Sequence, residues 1–226
     1  MIPIIAFVGE KGSGKTTLLE RVIDLLVERG RKVGVIKHTT HSFTLDYKET
    51  DTNRLYQAGS KFIAISSREK IGFYGDVENE LLPEEIRDLF FPRLDVILTE
   101  GYKSSHLPKI LVALNGNIPE WADGLGGLIA VVCPHKPNLN AKHFLPEQIN
   151  ELVGLIEDYC QRLSGKREVK IYLDSRSLQI KPFIKDLFLN TILAMVSSLK
   201  DVEGAKRIQI SIDLPEGIHQ LTKSKS

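Results

Sequence analysis

A glycine-rich segment near the start of the chain, GEKGSGKT at residues 9–16, has the residue types and spacing of a phosphate-binding loop. Gly12 and Gly14 let the backbone curl so that successive N–H groups point inward, where a side chain would obstruct a phosphate. Lys15 supplies charge for the terminal phosphates, and the Thr16 hydroxyl suits Mg²⁺. The segment predicts binding of a nucleoside triphosphate with Mg²⁺. The residues expected at the phosphates are Gly12, Ser13, Gly14, Lys15, Thr16 and Thr17.

A second Mg²⁺ ligand is expected from the segment LDVILTEG, which carries Asp95 and Glu100 at opposite ends. A strand rises by about 3.3 Å per residue, so the two carboxylates are separated by roughly 17 Å. Because only the carboxyl end of a parallel strand faces the phosphate loop, Glu100 is the predicted metal or water ligand. Asp95 is interpreted as a capping or solvent-facing residue.

The segment VIKHTTHSFTLD brings Lys37, His38, His41 and Asp46 into a loop at the same carboxyl edge, where substrate contacts concentrate. Asp46, with Asp51 and Arg54 beyond it, is expected near the γ-phosphate. Arg54 could neutralise charge that develops in phosphoryl transfer, and Arg54 and Glu100 are the candidates for any catalysis. The two histidines fit surface residues, because a zinc site needs further ligands at defined spacing. No residue is identified as a general base, which predicts slow hydrolysis.

The elements that must position these residues alternate between strands and helices. The run PIIAFVG is apolar throughout, which favours a central parallel strand, and TTLLERVIDLLVERG repeats apolar residues at helical spacing. Further strands are predicted at KVGVIKH, KFIAIS, IGFYG, LDVILTEG, ILVAL and GLIAVVC, and further helices at DTNRLYQAG, PEEIRDLFF and PEQINELVGLIEDYCQRL, the last with Pro146 in its first turn. This alternation predicts an α/β fold of the P-loop NTPase type, a mostly parallel sheet with helices on both faces.

A boundary is predicted near residue 166, because the chain from there onward carries eleven Lys and Arg against seven Asp and Glu. We expect a nucleotide-binding domain at 1–165, a small ββαβ extension at 166–215 and a disordered tail at 216–226. The extension would contain a hairpin from VKIYL and LQI, a helix from Pro182 to about Leu199 with a wide buried face, and a last strand at AKRIQISID. So small a unit is expected to pack on the first domain or on its counterpart in a dimer.

Composition gives an ordinary globular protein with 42% hydrophobic residues, 26% charged residues and a formal net charge of +1. The balanced charge argues against nucleic acid as the main partner. No targeting or membrane segment is evident, and Cys133 and Cys160 fit reduced thiols. These features predict a cytoplasmic location.

Three stretches resemble a known family: FVGEKGSGKTTLLERVIDLLVERGRKVGVIKHTTHSFTLD, DTNRLYQAGS and DVILTEGYKSSHLPKI are similar to the MobB adaptor proteins of molybdopterin-guanine dinucleotide biosynthesis. The resemblance covers roughly residues 2–163. It implies a dimeric GTP-binding protein with weak hydrolysis that assists a MobA-type enzyme in attaching GMP to molybdopterin. A C-terminal extension also occurs on some members.

The resemblance carries over residue by residue. Besides the phosphate loop, the positions that match are Lys37, His38, Asp46, Asp51, Arg54, Glu100, Gly101 and Lys103. Of these, Lys37, His38, Asp46, Asp51, Arg54 and Lys103 would form a face for cofactor or partner. One departure stands just before Asp51, where the family tends to have a glycine and a lysine and this chain has Glu49 and Thr50. A phosphate or cofactor contact by that lysine is therefore not expected here.

Two other functions share this phosphate loop. Cys133 and His135 in the segment CPH could bind nickel or a similar metal in a metal-delivery GTPase, although a buried thiol beside a loop histidine is the ordinary interpretation. A small-molecule kinase could use the KHTTH loop and Arg54 for its acceptor. Guanine is implied only by the resemblance, since no N-K-x-D sequence is present; residues 133–138 could contact the base through backbone groups.

Overall fold

A computed structural model of the chain describes residues 2–47, 49–91, 93–163, 169–173, 176–200, 202–204 and 208–212. The chain divides into two compact units, Met1–Lys166 and Arg167–Ser226, which are described separately below. Within the described ranges, no helix combines the length and apolar character needed to cross a membrane.

The first unit contains eight described strands and four described α-helices. The strands are β1 Ile4–Val8, β2 Val33–Lys37, β3 Phe62–Ser66, β4 Ile71–Gly75, β5 Val96–Glu100, β6 Lys109–Val112, β7 Leu128–Val132 and β8 Lys142–Phe144. The helices are α1 Lys15–Glu28, α2 Asp51–Gln57, α3 Pro83–Phe90 and α4 Ile149–Leu163, and a short 3₁₀-helix spans Glu120–Ala122.

Six of the strands form one parallel sheet in the order β2-β5-β1-β6-β7-β8. Every residue of β1 is buried at its centre, as the continuous apolar run predicts. On one face Ile5 and Phe7 pack with the buried apolar residues of α1 and α4. On the other face Ile4, Ala6 and Val8 pack with apolar residues from α3, the 3₁₀-helix and the connecting loops. The predicted α/β P-loop NTPase fold is confirmed, and β1 and β5 lie side by side at the centre of the sheet.

Two predicted strands do not join this sheet. β3 and β4 pair with each other in an antiparallel hairpin apart from it. Most of their side chains are exposed in the described chain, with Phe62 60%, Ile65 63% and Ile71 72% exposed. The same unit covers the hairpin only in part, since Ile63 is buried and Phe73 contacts Phe90 of α3.

Two local predictions along the chain are also corrected. The predicted elements omit β8, a three-residue strand too short to give a periodic pattern. Helix α4 begins at Ile149, so Pro146 precedes the helix instead of lying in its first turn. Residues 145–148 form a separate turn before the helix, in which Leu145 N donates to Gln148 Oε1 at 2.8 Å and Gln148 N donates to Leu145 O at 3.0 Å.

The second unit contains an antiparallel hairpin of β9 Ile171–Leu173 and β10 Arg176–Leu178, followed by α5 Pro182–Ser197. The expected wide buried face of α5 is wrong for the described chain, because none of its residues is buried and Phe183 is 74% exposed. Strands of three residues offer too little surface to cover it. The described part of the predicted last strand, 208–212, has no regular secondary structure; the rest of that strand and the 216–226 tail lie outside the described residues.

Candidate nucleotide-binding site

The glycine-rich segment forms the connection between β1 and α1. Gly12 and Gly14 have φ angles of 77° and 87°, in the left-handed region that a residue with a Cβ rarely adopts. Gly14 is the N-cap of α1, and no side chain caps the first turn. The N–H groups of that turn and the positive end of the helix dipole therefore remain available to an anion.

Two polar side chains of the loop fit a phosphate. Lys15 Nζ donates to Gly9 O at 3.0 Å and to Glu10 O at 2.7 Å, so the ammonium lies across the loop. Ser13 is 2% exposed, and its Oγ has no hydrogen-bond partner in the structure. Buried hydroxyls are normally paired. A phosphate oxygen at this loop is the kind of acceptor that Ser13 lacks.

Thr16 and Glu100 meet beside the loop. Thr16 Oγ1 donates to Glu100 Oε2 at 3.0 Å, although 84 positions separate the residues. The sheet explains the contact, because Glu100 ends β5 in register with Phe7 of the neighbouring β1. A hydroxyl and a carboxylate side by side next to a phosphate loop are a donor set that Mg²⁺ accepts, with phosphate and water oxygens completing its shell.

Lys37 adds a second cation at this position. It ends β2 in register with Glu100, and its Nζ lies 3.8 Å from Glu100 Oε2. Asp95 lies before the opposite end of β5, where its Oδ2 accepts from Lys32 N at 2.8 Å. The structure thus brings Glu100 to the phosphate loop and leaves Asp95 at the far edge.

His38 is held by two residues that the sequence did not single out. Its Nε2 lies 2.8 Å from Glu80 Oε1, and its ring stacks on Tyr102 with centroids 4.4 Å apart. Gly101, which precedes Tyr102, has a φ of 109°. A Cβ at this position would lie only 3.1 Å from the His38 Cβ. His38 therefore packs at the edge of the site, where its ring and one nitrogen already have partners.

Asp46 acts as an anchor for the loop that follows β2. Its Oδ1 accepts from Thr50 Oγ1 and Tyr47 N, and its Oδ2 accepts from Tyr74 OH, each at 2.8 Å. Hydrogen bonding from Thr52 first, and then from Tyr74 and Thr50, holds the pKa of Asp46 below its usual value, although partial desolvation opposes this. Burial, together with Asp46, raises the pKa of Tyr74 to about 12.

Asp51 and Arg54 form an exposed pair on α2, with Arg54 Nη1 3.4 Å from Asp51 Oδ1. The structure does not bring this pair or Asp46 into contact with the described phosphate-loop residues. Thr50, one of the two positions that depart from the family pattern, caps α2 by accepting from Asn53 N at 3.2 Å. Glu49, the other position that departs from the family pattern, has a φ of 78°. The family's glycine at that position suits this angle.

Lys103 is connected to the phosphate loop through Trp121, a residue that no sequence motif identifies. Lys103 Nζ lies 4.5 Å from the centre of the Trp121 ring. Trp121 Nε1 donates to Glu10 Oε1 at 2.5 Å. A single tryptophan in a connecting segment carries no periodic signal, so this contact becomes visible only in the folded chain.

The segment after β7 begins with Cys133, which is 1% exposed and donates through Sγ to His135 O at 2.7 Å. Burial raises the pKa of Cys133, so its thiol form is favoured over the thiolate that binds metals. The segment follows the carboxyl end of β7. The neighbouring strand β6 is followed by Leu114, whose side chain lies next to Gly14 of the phosphate loop.

The comparisons with known proteins agree on one family. The family model described as "MobB: Molybdopterin guanine dinucleotide synthesis protein B" matches residues 4–134. A molybdopterin-guanine dinucleotide biosynthesis adapter protein of Haemophilus influenzae is 35% identical over 170 residues, 74% of this chain and 94% of its own length. A Methanocaldococcus jannaschii protein, described provisionally in the same way, is 28% identical over 93% of this chain and 97% of its own.

A solved structure gives the same fold. The crystal structure of Bacillus subtilis MobB superposes with a TM-score of 0.57, covering 73% of this chain and all of its own, at 24% identity. Together with the family match over the phosphate loop and the strand that ends in Glu100, these similarities place the chain in the MobB family of molybdopterin guanine dinucleotide synthesis proteins.

Proposed function

We propose that the protein is a GTP-binding adaptor that assists attachment of GMP to molybdopterin by a MobA-type nucleotidyltransferase. The observation that carries the proposal is the contact of Thr16 with Glu100 at 3.0 Å, which sets a hydroxyl and a carboxylate beside the glycine-rich loop in a chain of the MobB family. The names of the relatives support the choice of pathway, and the geometry of the glycine-rich loop supports the choice of a nucleotide as ligand.

Each residue of the site has a defined task in this proposal. The amides of residues 12–17 and Ser13 Oγ bind phosphate oxygens, and Lys15 exchanges the Gly9 and Glu10 carbonyls for the terminal phosphates. Thr16 and Glu100 hold Mg²⁺, which neutralises phosphate charge when bound. Lys37, next to Glu100, compensates further negative charge at the same edge.

Hydrolysis of the nucleotide is proposed to be slow. The described polar groups nearest the site are already engaged: Glu100 by Thr16 and Lys37, His38 by Glu80 and Tyr102. Farther along the chain, Arg54 pairs with Asp51 instead of reaching the loop. A GTPase with fast turnover needs a group that orients water and a cation at the γ-phosphate. The site therefore favours binding over cleavage.

A homodimer belongs to the proposal, and the β3–β4 hairpin is its contact surface. Phe73 of the hairpin contacts Phe90 of α3, yet Phe62 and Ile71, which lie on the same face as Phe73, are 60% and 72% exposed. Large exposed apolar patches mark interaction sites. A second copy would bury the same side chains on both partners, as a two-fold interface requires.

The test adds the purified protein to a MobA-type transferase, molybdopterin and Mg²⁺-GTP, and measures the yield of the dinucleotide product. Wild type is expected to raise the yield, and Lys15→Ala to remove most of that gain because the phosphates lose their mobile cation. Lys32→Ala is the matched control, since its exposed side chain lies near the far edge of the sheet. Equal yields with wild type, Lys15→Ala and no adaptor would refute the adaptor role.

The metal-delivery alternative is disfavoured by the buried, hydrogen-bonded thiol of Cys133. Calorimetric titration with Ni²⁺ or Zn²⁺ would support it only if binding were lost in Cys133→Ser. The kinase alternative requires nucleotide turnover that depends on a second small substrate.

A further inference from the structure

Lys109 begins β6 and lies near the end of the stretch DVILTEGYKSSHLPKI, yet none of the roles given above uses it. Its environment is unusual, because only 1% of the residue is exposed and lysine is almost never fully buried unless it is paired. Lys109 is in register with Ala6 of β1, so its side chain lies on the face of the sheet that the connecting loops cover. The buried ammonium therefore has its partners among those loops.

Three backbone oxygens surround the Lys109 ammonium. Its Nζ donates to Leu107 O at 3.0 Å, to Gly126 O at 2.8 Å and to Ser105 O. An ammonium group has three donors and a neutral amine has two, so three carbonyl acceptors fit the charged form. Burial lowers the pKa of Lys109, but loss of the proton would leave one of these carbonyls without its donor. Lys109 thus takes the place that a bound cation would have among these oxygens.

The three oxygens belong to two connections of the sheet that contain no α-helix. Ser105 and Leu107 lie between β5 and β6, and Gly126 lies between β6 and β7, after the 3₁₀-helix. The main chain adds a fourth contact, because Lys109 N donates to Gly127 O at 2.8 Å. Buried carbonyl groups outside regular structure need donors from elsewhere in the chain. Lys109 supplies such donors to both connections at one point.

The connection from β5 to β6 starts at the candidate metal ligand. Glu100 ends β5, and its backbone oxygen accepts from His38 N at 2.9 Å. The His38 ring stacks on Tyr102, which lies two positions after Glu100. Ser105 N and Ser105 Oγ both donate to Tyr102 O, at 3.1 and 2.8 Å. Through Ser105, Lys109 therefore fixes the turn that follows Glu100.

The connection from β6 to β7 reaches the phosphate loop before it returns to Lys109. Trp121 Nε1 donates to Glu10 Oε1 at 2.5 Å, and the same segment continues to Gly126. Gly126 is the residue whose oxygen accepts from Lys109. The ammonium thus joins the segment that contacts the phosphate loop to the segment that starts at Glu100.

We propose that Lys109 is a positioning residue for nucleotide binding, whose buried ammonium is an internal cation that holds these two connections together. It acts through Ser105 on the turn after Glu100 and through Gly126 on the segment of Trp121. A nucleotide then meets a preformed site. Without the ammonium, part of the binding free energy would be used to order the two connections. The inference rests on the nucleotide site of the proposed function.

The first test is Lys109→Met, which removes the charge at nearly the same side-chain length. The thermal unfolding midpoint is expected to fall by about 5 °C or more, because buried carbonyls lose their donors. Binding of a fluorescent GTP analogue with Mg²⁺ is expected to weaken about tenfold. Lys142→Met is the matched control, because Lys142 also begins a strand of the same sheet but is exposed. It should match wild type in both measurements.

Chemical rescue distinguishes an internal cation from an ordinary packing role. Lys109→Ala removes the atoms of a propylammonium ion, so added n-propylammonium chloride is expected to restore most of the lost unfolding midpoint and GTP affinity. Propan-1-ol fills similar space without charge, and KCl supplies the same ionic strength, so neither should restore them. If Lys109→Ala is obtained only in unfolded form, its refolding yield with each additive is measured, and the same order is expected.

Trp121, the only tryptophan in the chain, reports the connection from β6 to β7 without nucleotide. Acrylamide quenching of its fluorescence is expected to increase in Lys109→Met and Lys109→Ala, because the segment that carries it loses its contact at Gly126. In Lys109→Ala the quenching should return toward the wild-type value with n-propylammonium and should stay high with propan-1-ol.

Three outcomes would overturn the inference. They are rescue by propan-1-ol as complete as that by n-propylammonium, unchanged Trp121 quenching in Lys109→Met, and a lower unfolding midpoint in Lys109→Met with unchanged GTP affinity. The last would leave Lys109 a residue of the core alone.

Failure of the inference is distinguishable from failure of the adaptor role. Equal GTP affinity of wild type and Lys109→Met, with a reconstituted yield that still depends on Lys15, would refute only the positioning role. Weaker GTP binding by Lys109→Met that n-propylammonium restores in Lys109→Ala, with a yield that wild type does not raise, would refute only the adaptor role.

Discussion

At the scale of single residues, the site depends on positions whose backbone angle or hydrogen bonds leave few alternatives. Gly12 and Gly14 adopt positive φ, and Thr16 meets Glu100 only because β1 and β5 are neighbours. Glu49 adopts a φ of 78° without being glycine, and among the described residues Tyr102 and Arg93 also have positive φ, at 59° and 67°. A left-handed angle at a residue with a Cβ costs about 1–2 kcal/mol.

Glu49→Gly is therefore expected to stabilise the protein by about 0.5–1 kcal/mol, the relief of strain less the added entropy of the unfolded chain. Urea unfolding followed by circular dichroism measures the change. Glu49→Ala is the control, because it removes the carboxylate but keeps a Cβ at the same angle. A loss of stability in Glu49→Gly, or an equal gain in Glu49→Ala, would show that the backbone angle is not the cause.

At the scale of elements, the loop between β2 and α2 is held by Asp46, which bonds to Thr50 at the start of α2 and to Tyr74 of β4. The pKa of Asp46 in the folded protein is below its usual value of 3.8. Such a carboxylate favours the folded state at pH values above that usual value, and the contribution is lost as the pH falls through the folded-state pKa.

Asp46→Asn is expected to lower the stability of the protein near neutral pH and to remove this part of its acid dependence. The difference in free energy of unfolding between wild type and Asp46→Asn should be largest above about pH 5 and should shrink toward pH 3. Urea unfolding at several pH values measures it. A difference that stays constant, or grows as the pH falls, would contradict the assignment of Asp46 as an ionised anchor.

Individual elements also show what a sequence can predict. β1, the phosphate loop and α1 follow from local signals, namely an apolar run, a glycine pattern and helical spacing. The hairpin of β3 and β4 was placed in the main sheet because a short apolar run has the same pattern in either setting. The partners Trp121, Glu10, Tyr102 and Glu80 depend on tertiary contacts, and nothing in their spacing announces them. Asp46 was expected near phosphate because a carboxylate that anchors a loop cannot be distinguished by type from one that faces a ligand.

At the scale of the whole molecule, the first unit has its own core around β1, and its exposed β3–β4 hairpin is the surface proposed for a second copy. Ile71→Lys is expected to convert the proposed dimer to monomer, raising its dissociation constant about a hundredfold or more, because an unpaired ammonium would be buried at the contact. Sedimentation equilibrium measures this. Val27→Lys on α1, where Val27 is 55% exposed, is the matched control and should leave assembly unchanged. A wild-type monomer at micromolar concentration, or a dimer that survives Ile71→Lys, would rule out this interface.

The account rests most directly on Mg²⁺-dependent GTP binding at Thr16 and Glu100, and one measurement tests it. A fluorescent GTP analogue is titrated into wild type, Glu100→Gln and Asp95→Asn with and without Mg²⁺, and is then displaced by unlabelled GTP or ATP. Binding to wild type and Asp95→Asn should strengthen with Mg²⁺, Glu100→Gln should lose most of that gain, and GTP should displace the analogue more effectively than ATP. Equal Mg²⁺ dependence in Glu100→Gln, or a preference for ATP, would contradict the account.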